Sequence, residues 1–403
     1  MRAKASRTSS MMAVSAAAVL AMAAGLSGQG QGAAPQTGAL APAAQAGRGG
    51  GAGQDACGGR SAQPTVPCQN DVNKMMATLG LLPDKPPATP QKPRKVIVLA
   101  PEHAAGYQHS SIPLAARLIE ALGKKTGAWT TDIVTNPSGF TADNLKQYDA
   151  IFLSSTTGTF LDDPNDEAAT AARRQALLDF VRGGKGLAGI HASGDSYHAR
   201  AGGGGNRGRG GQVAAAANPP AGGPPSGAAP AAPPAQTPLP PCSHRNDEPG
   251  GGGTPLWPEF NKMIGGYFKF HWVYPTPITV KIDDPSNPIN AAFKGQSFNT
   301  IDETYTFNET SWSRDNVHVL TSIDYSKMSD CDKGLEENPR TDHDYGLSWI
   351  RRDGNGRVFY QALGHHESIY YNNPAMLAHI LAGMQYVLGD LKADDSPSAK
   401  GKK

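Results

Sequence analysis

The chain runs to 403 residues, with 37 Lys and Arg against 35 Asp and Glu for a formal net charge of +2. Near-neutral charge without a basic run excludes a nucleic-acid partner on electrostatic grounds. Glycine and proline are in excess, at 48 and 33 residues, but the excess is segregated into a few blocks; what remains is enough for one sizeable core.

Residues 1–28 read as an export signal. Arg2, Lys4 and Arg7 form a positive start, and Met11–Leu26 is an apolar, Ala-rich run followed by small residues. No other stretch reaches about 18 apolar residues, so no stable membrane span is expected after cleavage. The expected location is periplasmic or extracellular. In an oxidising compartment the four cysteines, which show no CxxC spacing, are expected as two disulfides, Cys57–Cys68 and Cys242–Cys331. Residues 29–93 are expected as a disordered or linker segment with a short helix over Asp71–Leu81.

From Lys95 the pattern alternates. Lys95–Ala100 is a short apolar strand, Ser111–Lys124 an amphipathic helix, Trp129–Thr135 a strand, Thr141–Gln147 a short helix and Asp149–Ser155 a strand. Asp166–Val181 is a long helix, capped by the acidic run Asp162–Glu167 and stopped by Gly183 and Gly184; Gly186–Ala192 is the fourth strand. Residues 199–253 hold almost nothing apolar larger than Ala or Pro and are expected as a surface insertion. A short helix (Leu256–Ile264) and strands at Tyr267–His271, Ile278–Ile282, Glu303–Phe307 and Val317–Ile323 follow. Leu347–Arg352 and Arg357–Leu363 flank a hairpin turn at Asp353–Gly356, Pro374–Leu388 is the last helix, and 391–403 is expected as a disordered tail. The domain of 94–390, interrupted at 199–253, is thus read as α/β: a doubly wound, mostly parallel sheet of flavodoxin-like type with added antiparallel strands.

Ligands of such sheets bind outside the carboxyl ends of the strands. There the first strand is followed by Glu102, His103 and His109, the third by Ser154–Gly158, the fourth by His191, Ser193 and Asp195, and the hairpin's return strand by Gly364, His365 and His366. Three of these four ends carry His. His191 occupies the tight strand-to-helix turn where a nucleophile elbow would place Ser or Cys, and no cysteine follows a buried strand, so a thiol glutaminase is excluded. A lone His at a strand end is commonly structural; convergence of three argues for a polar site without naming its reaction.

In these residues the sequence resembles the ThuA-like (trehalose-utilisation) family, whose fold is related to class I glutamine amidotransferases. The matching pieces are Gly106–His109, Leu145–Asp149, Ser155–Gly158, Gly189–Ala192, Ile264–Phe268 with His271, Asp302–Tyr305, and Gly356–Tyr360 leading to Leu363–His365. The resemblance implies an amidotransferase-like scaffold without its cysteine and a link to sugar metabolism, hence an enzyme acting on a small-molecule carbohydrate or keto-sugar. By matching positions, His109, His191, Glu303 and His365 are the candidate catalytic residues, and Thr156, Thr157, His271 and Tyr305 the candidate substrate-binding residues. Imidazoles and a carboxylate can hold a divalent metal such as Zn²⁺, with His191 and His365 as ligands, or serve as acid and base without one. The alternative is a non-catalytic sugar-binding or partner-docking module. Trp272, Tyr305 and Tyr360 are candidates for stacking on a sugar, although aromatics in strands more commonly belong to the core. Nothing in the composition signals an oligomeric state.

Overall fold

The computed structural model describes residues 65–199 and 254–401, all within one unit of the chain, Gly53–Lys403. The export signal, the first part of the 29–93 segment, Cys57, Cys242 and nearly all of the insertion lie outside the described residues, and the two expected cysteine pairings with them. Neither described cysteine, Cys68 or Cys331, is a free thiol. Among the described residues no helix is long and apolar enough to cross a membrane.

Helix α1 (Gln69–Gly80) precedes a run that alternates as expected: β1 (Lys95–Leu99), α2 (Ile112–Thr126), β2 (Thr130–Val134), α3 (Ala142–Leu145), β3 (Ala150–Ser154), α4 (Glu167–Arg182) and β4 (Gly186–Ile190). After the insertion come α5 (Pro258–Ile264), β5 (Phe268–Ile282), β6 (Phe298–Phe307), β7 (His318–Ile323), α6 (Asp330–Lys333), β8 (Gly346–Asp353), β9 (Gly356–Gln361) and α7 (Pro374–Val387). The nine strands form one mixed sheet in the order β2-β1-β3-β4-β9-β8-β7-β5-β6. The five from β2 to β9 pair in parallel. Beyond β9 every pairing is antiparallel. Strands β1, β3 and β4 are buried almost throughout, which is why they read as unbroken apolar runs and not as alternations.

Local chemistry sets the element ends. Asp166 caps α4, its Oδ1 accepting from the Ala169 amide at 2.8 Å, so the acidic run before it is a cap. Gly354 starts the two-residue β8–β9 turn at φ +57°, and a Cβ there would also meet the Arg182 backbone at 2.9 Å.

Three expectations need correction. The two strands predicted at Tyr267–His271 and Ile278–Ile282 are one 15-residue strand, β5. Pro275 and Pro277 signal a break because proline donates no ladder hydrogen bond. Pro275 sits instead in a bulge, where the register against β6 passes from Trp272↔Thr304 to Thr276↔Asp302, and Pro277 pairs with Ile301 just beyond it, on a stretch where β5 is bonded to β6 alone. The tail expected as disordered is anchored: Ser398 N donates to Val317 O (3.1 Å) and Ala399 N to Arg314 O (3.0 Å), while Tyr386 Oη donates to Asp395 (2.8 Å). The linker is anchored as well, through Ala88 and the Gln385 amide and an Arg94–Asp390 ion pair. Composition alone does not register such pairings. At the edges of the insertion, Ala199 N donates to Thr254 O at 2.8 Å, and His198 and Pro255 form an antiparallel bridge.

His379 of α7 is buried with Nδ1 against Ile289 O (3.1 Å) and Nε2 against Ser348 Oγ (3.1 Å). Burial pushes its pKa down to about 4, outweighing the Ile289 hydrogen bond. The unfolded chain therefore takes up a proton near pH 6.5 that the folded protein refuses. The stabilising contribution of neutral His379 is complete above that pH and is lost as pH falls towards 4. Denaturation across this window should show a shallower decline for His379→Gln than for the natural chain.

Candidate active site

His109, His191 and His365 come from the loops after β1, β4 and β9, the carboxyl ends of the parallel strands. Glu303 comes from β6 at the opposite end of the strand order. The two meet because β5 and β6 outrun the sheet: β5 pairs with β7 only at Val280–Ile282, and its residues 268–277 pair with β6 alone. This ribbon sets the Tyr305 ring against His191, with centroids 4.3 Å apart, and brings the Glu303 carboxylate to His365 Nδ1 (2.9 Å) and His271 Nδ1 (3.2 Å).

One ligand atom from each of His109, His191, Glu303 and His365 lies within 4.8 Å of all the others. The sequence-derived catalytic set is therefore one constellation, buried except at His365. His191 holds φ +46°, a left-handed conformation uncommon outside glycine and found at functional turns. Tyr360 Oη donates to its carbonyl at 2.5 Å. The Nδ1–H of His191 donates to Ala362 O at 2.9 Å, which leaves its Nε2 as an acceptor, hydrogen-bonded to His109 Nε2 at 3.2 Å. His109 Nδ1 is buried without a hydrogen-bond partner.

Burial pushes the His191 pKa down to about 3, against the pull of Glu303. Burial, with His191 and His365 beside it, holds His109 well below the ordinary histidine value. His365 is also penalised by burial, yet the Glu303 carboxylate raises it to about 9. For Glu303 the burial cost is overcome by His365 and His271, and its pKa falls well below the usual carboxylate range. The pocket thus holds two neutral imidazoles beside an ion pair. Such a donor set suits a divalent metal that displaces the His365 proton on binding, since imidazole ligates in its neutral form and two ligands at about 2 Å in tetrahedral array stand about 3.3 Å apart.

The candidate substrate residues divide. Tyr305 and His271 line the cluster. Thr156 and Thr157 do not join it: Thr156 Oγ1 lies 3.3 Å from Ser196 Oγ, and Thr157 Oγ1 donates to Tyr107 O at 3.0 Å. Trp272 and Tyr360 are core, Trp272 donating to Asp332 O at 2.7 Å. Ser193 is no nucleophile, with Oγ bonded to Leu153 O and Ile190 O. His343 stacks on Tyr325 and Asp344 pairs with Arg314, apart from the cluster.

Sequence reasoning passed over Asp302. Fully buried, its Oδ2 accepts from Gly364 N (2.6 Å) and His365 N (3.3 Å), and its Oδ1 from His366 N (3.0 Å). Burial pushes this carboxyl up to about 7 against the pull of His365 and those N–H groups. Adjacent carboxylates thus hold His365 twice, Asp302 by the backbone and Glu303 by the ring. The available signal was the pair Asp302–Glu303 itself, two adjacent acids inside a stretch read as a strand.

An α/β sheet with a His/Glu pocket at its strand ends defines the class of protein. The profile of the ThuA family, described as trehalose utilisation, matches residues 95–221 and 250–387, and the chain belongs to that family. It is similar in structure to a putative ThuA-like protein from Bacteroides uniformis, with 19% identity over 74% of this chain and 92% of that one, at TM-score 0.47. A second such protein, from Parabacteroides merdae, shares 16% identity over 76% and 95% of the two chains at TM-score 0.44. No curated protein matches the chain.

Replacing Asp302 by Ala should destabilise the protein by about 3 kcal/mol or more, because several buried N–H groups lose their acceptor at once. Asp302→Asn, which keeps one acceptor oxygen, should cost less. Urea unfolding of both variants tests the order.

Proposed function

We propose that the chain is an exported enzyme acting on a carbohydrate or keto-sugar, with a divalent metal such as Zn²⁺ held by His109, His191, His365 and Glu303. The observation that carries the reading is the convergence of the four ligand atoms within 4.8 Å. The lone pair of His191 Nε2, aimed at His109, supports it, as does the unpartnered His109 Nδ1. When bound, the metal would polarise a carbonyl or hydroxyl oxygen of the sugar. The chain's own part is to orient the imidazoles: Ala362 O fixes the tautomer of His191, Tyr360 its backbone, and Glu303 and Asp302 the position of His365. Tyr305, packed on His191, keeps water from that side.

The left-handed turn at His191, in the place of a nucleophile elbow, supports an amidotransferase-like, doubly wound scaffold that has exchanged cysteine for histidine. Thr156 and Thr157 serve in this reading as supports of the pocket wall. Export rests on the basic and apolar N-terminus, and with it two disulfides. N-terminal sequencing of the mature protein and non-reducing peptide mapping test both; an intact Arg2–Leu26 segment or four free thiols would refute them.

Purified protein should carry about one equivalent of divalent metal by elemental analysis. His191→Ala and Glu303→Gln should each weaken metal affinity by more than about 100-fold and abolish turnover of keto-disaccharides. Turnover that survives full chelation would overturn the metal and leave acid–base chemistry. Sugar binding without turnover, indifferent to chelation, would replace the enzyme by a binding module.

A further inference from the structure

We propose that Tyr107 is a platform on which a sugar ring stacks at the mouth of the His109–His191–His365 cluster. The inference rests on the carbohydrate reading above and adds which face of the ligand is held. Among the described residues the exposed large hydrophobic side chains are Val66, Met76, Leu81, Tyr107 and Leu256, and of these Tyr107 alone is aromatic. It is 51% exposed, two residues from His109, which is 3% exposed.

This exposure is not the result of slack chain. A Cβ on Gly106 would come within 2.9 Å of Thr157 Cβ, so the loop runs hard against the chain that follows β3. Thr157 Oγ1 holds the Tyr107 carbonyl at 3.0 Å. The Gln108 amide accepts from Ala104 N (2.7 Å) and donates to Pro101 O (3.1 Å), closing the loop on itself. The backbone is clamped on both sides of a ring left open to solvent.

That ring stands edge-on to His109, with centroids 4.8 Å apart, and within 19° of parallel to His365 at 6.4 Å. Tyr274 is the other phenol near His365, at 6.1 Å, but it stacks on His366 at 4.3 Å and 2°. Tyr107 therefore offers the open aromatic face beside the cluster. A pyranose presents an apolar C–H face flanked by hydroxyls, and an aromatic ring beside a few convergent polar groups is the usual make-up of a small-ligand site. A sugar lying on Tyr107 sets its hydroxyl rim against His109 and His365.

The test uses full-length protein, titrated with trehalose and with a keto-disaccharide by calorimetry and saturation-transfer NMR, alongside a Co²⁺ titration. Tyr107→Ala should weaken sugar binding about tenfold and leave Co²⁺ affinity and its absorption spectrum unchanged. Tyr107→Phe, which keeps the ring, should bind sugar like the natural chain. Equal sugar affinity in Tyr107→Ala and the natural chain overturns the platform while leaving the carbohydrate reading in place. Absence of sugar binding by the natural chain overturns both.

Discussion

Glu303 is the charge around which the rest of the pocket is arranged. A carboxylate taken out of water costs several kcal/mol unless it is paired and hydrogen-bonded. Here the compensation comes from His365 on one oxygen and His271 on the other. The pairing keeps His365 protonated, while burial keeps His109 and His191 neutral against the pull of the same carboxylate. It also explains the neighbouring Asp302: an ion pair holds only if its backbone stays put, and three N–H groups from 364–366 hang on that carboxylate.

The geometry follows from a division of labour within one sheet. The parallel strands deliver three histidines at their carboxyl ends, as the topology of open α/β sheets requires. The antiparallel half delivers the carboxylate and the aromatic wall by extending a two-stranded ribbon beyond β7. Neither half contains the constellation alone. Gly364 shows how closely they are joined: its amide is bound to Asp302 of β6, while its carbonyl accepts from Ser111 before α2 and from Tyr370.

Much of this was legible beforehand because the strongest sequence signals are local. Apolar runs marked β1, β3 and β4, glycines marked the β8–β9 turn, and the ThuA-like pieces located the cluster residues. What escaped depends on distant partners. The prolines of β5 read as a break because nothing nearby reveals the bulge that takes Pro275 or the one-sided pairing that tolerates Pro277. The tail read as solvated because its tethers to Val317, Arg314 and Tyr386 cannot be seen in its composition. Thr156 and Thr157 followed a strand end and so resembled ligand-binding groups, whereas their hydroxyls are occupied by Ser196 and Tyr107. Asp302 lay beside a more conspicuous acid and was eclipsed by it.

The backbone bond between Ala199 and Thr254 makes a closed stem of the two chain segments flanking the insertion. Once a stem is fastened, the entropic cost of what it encloses rises only with the logarithm of length, about 0.6 kcal/mol per doubling. Residues can then be gained or lost between the two positions over evolutionary time while β4 and β5 keep their registers. A pocket whose histidine stands eight residues before such a fastening is insulated from that drift.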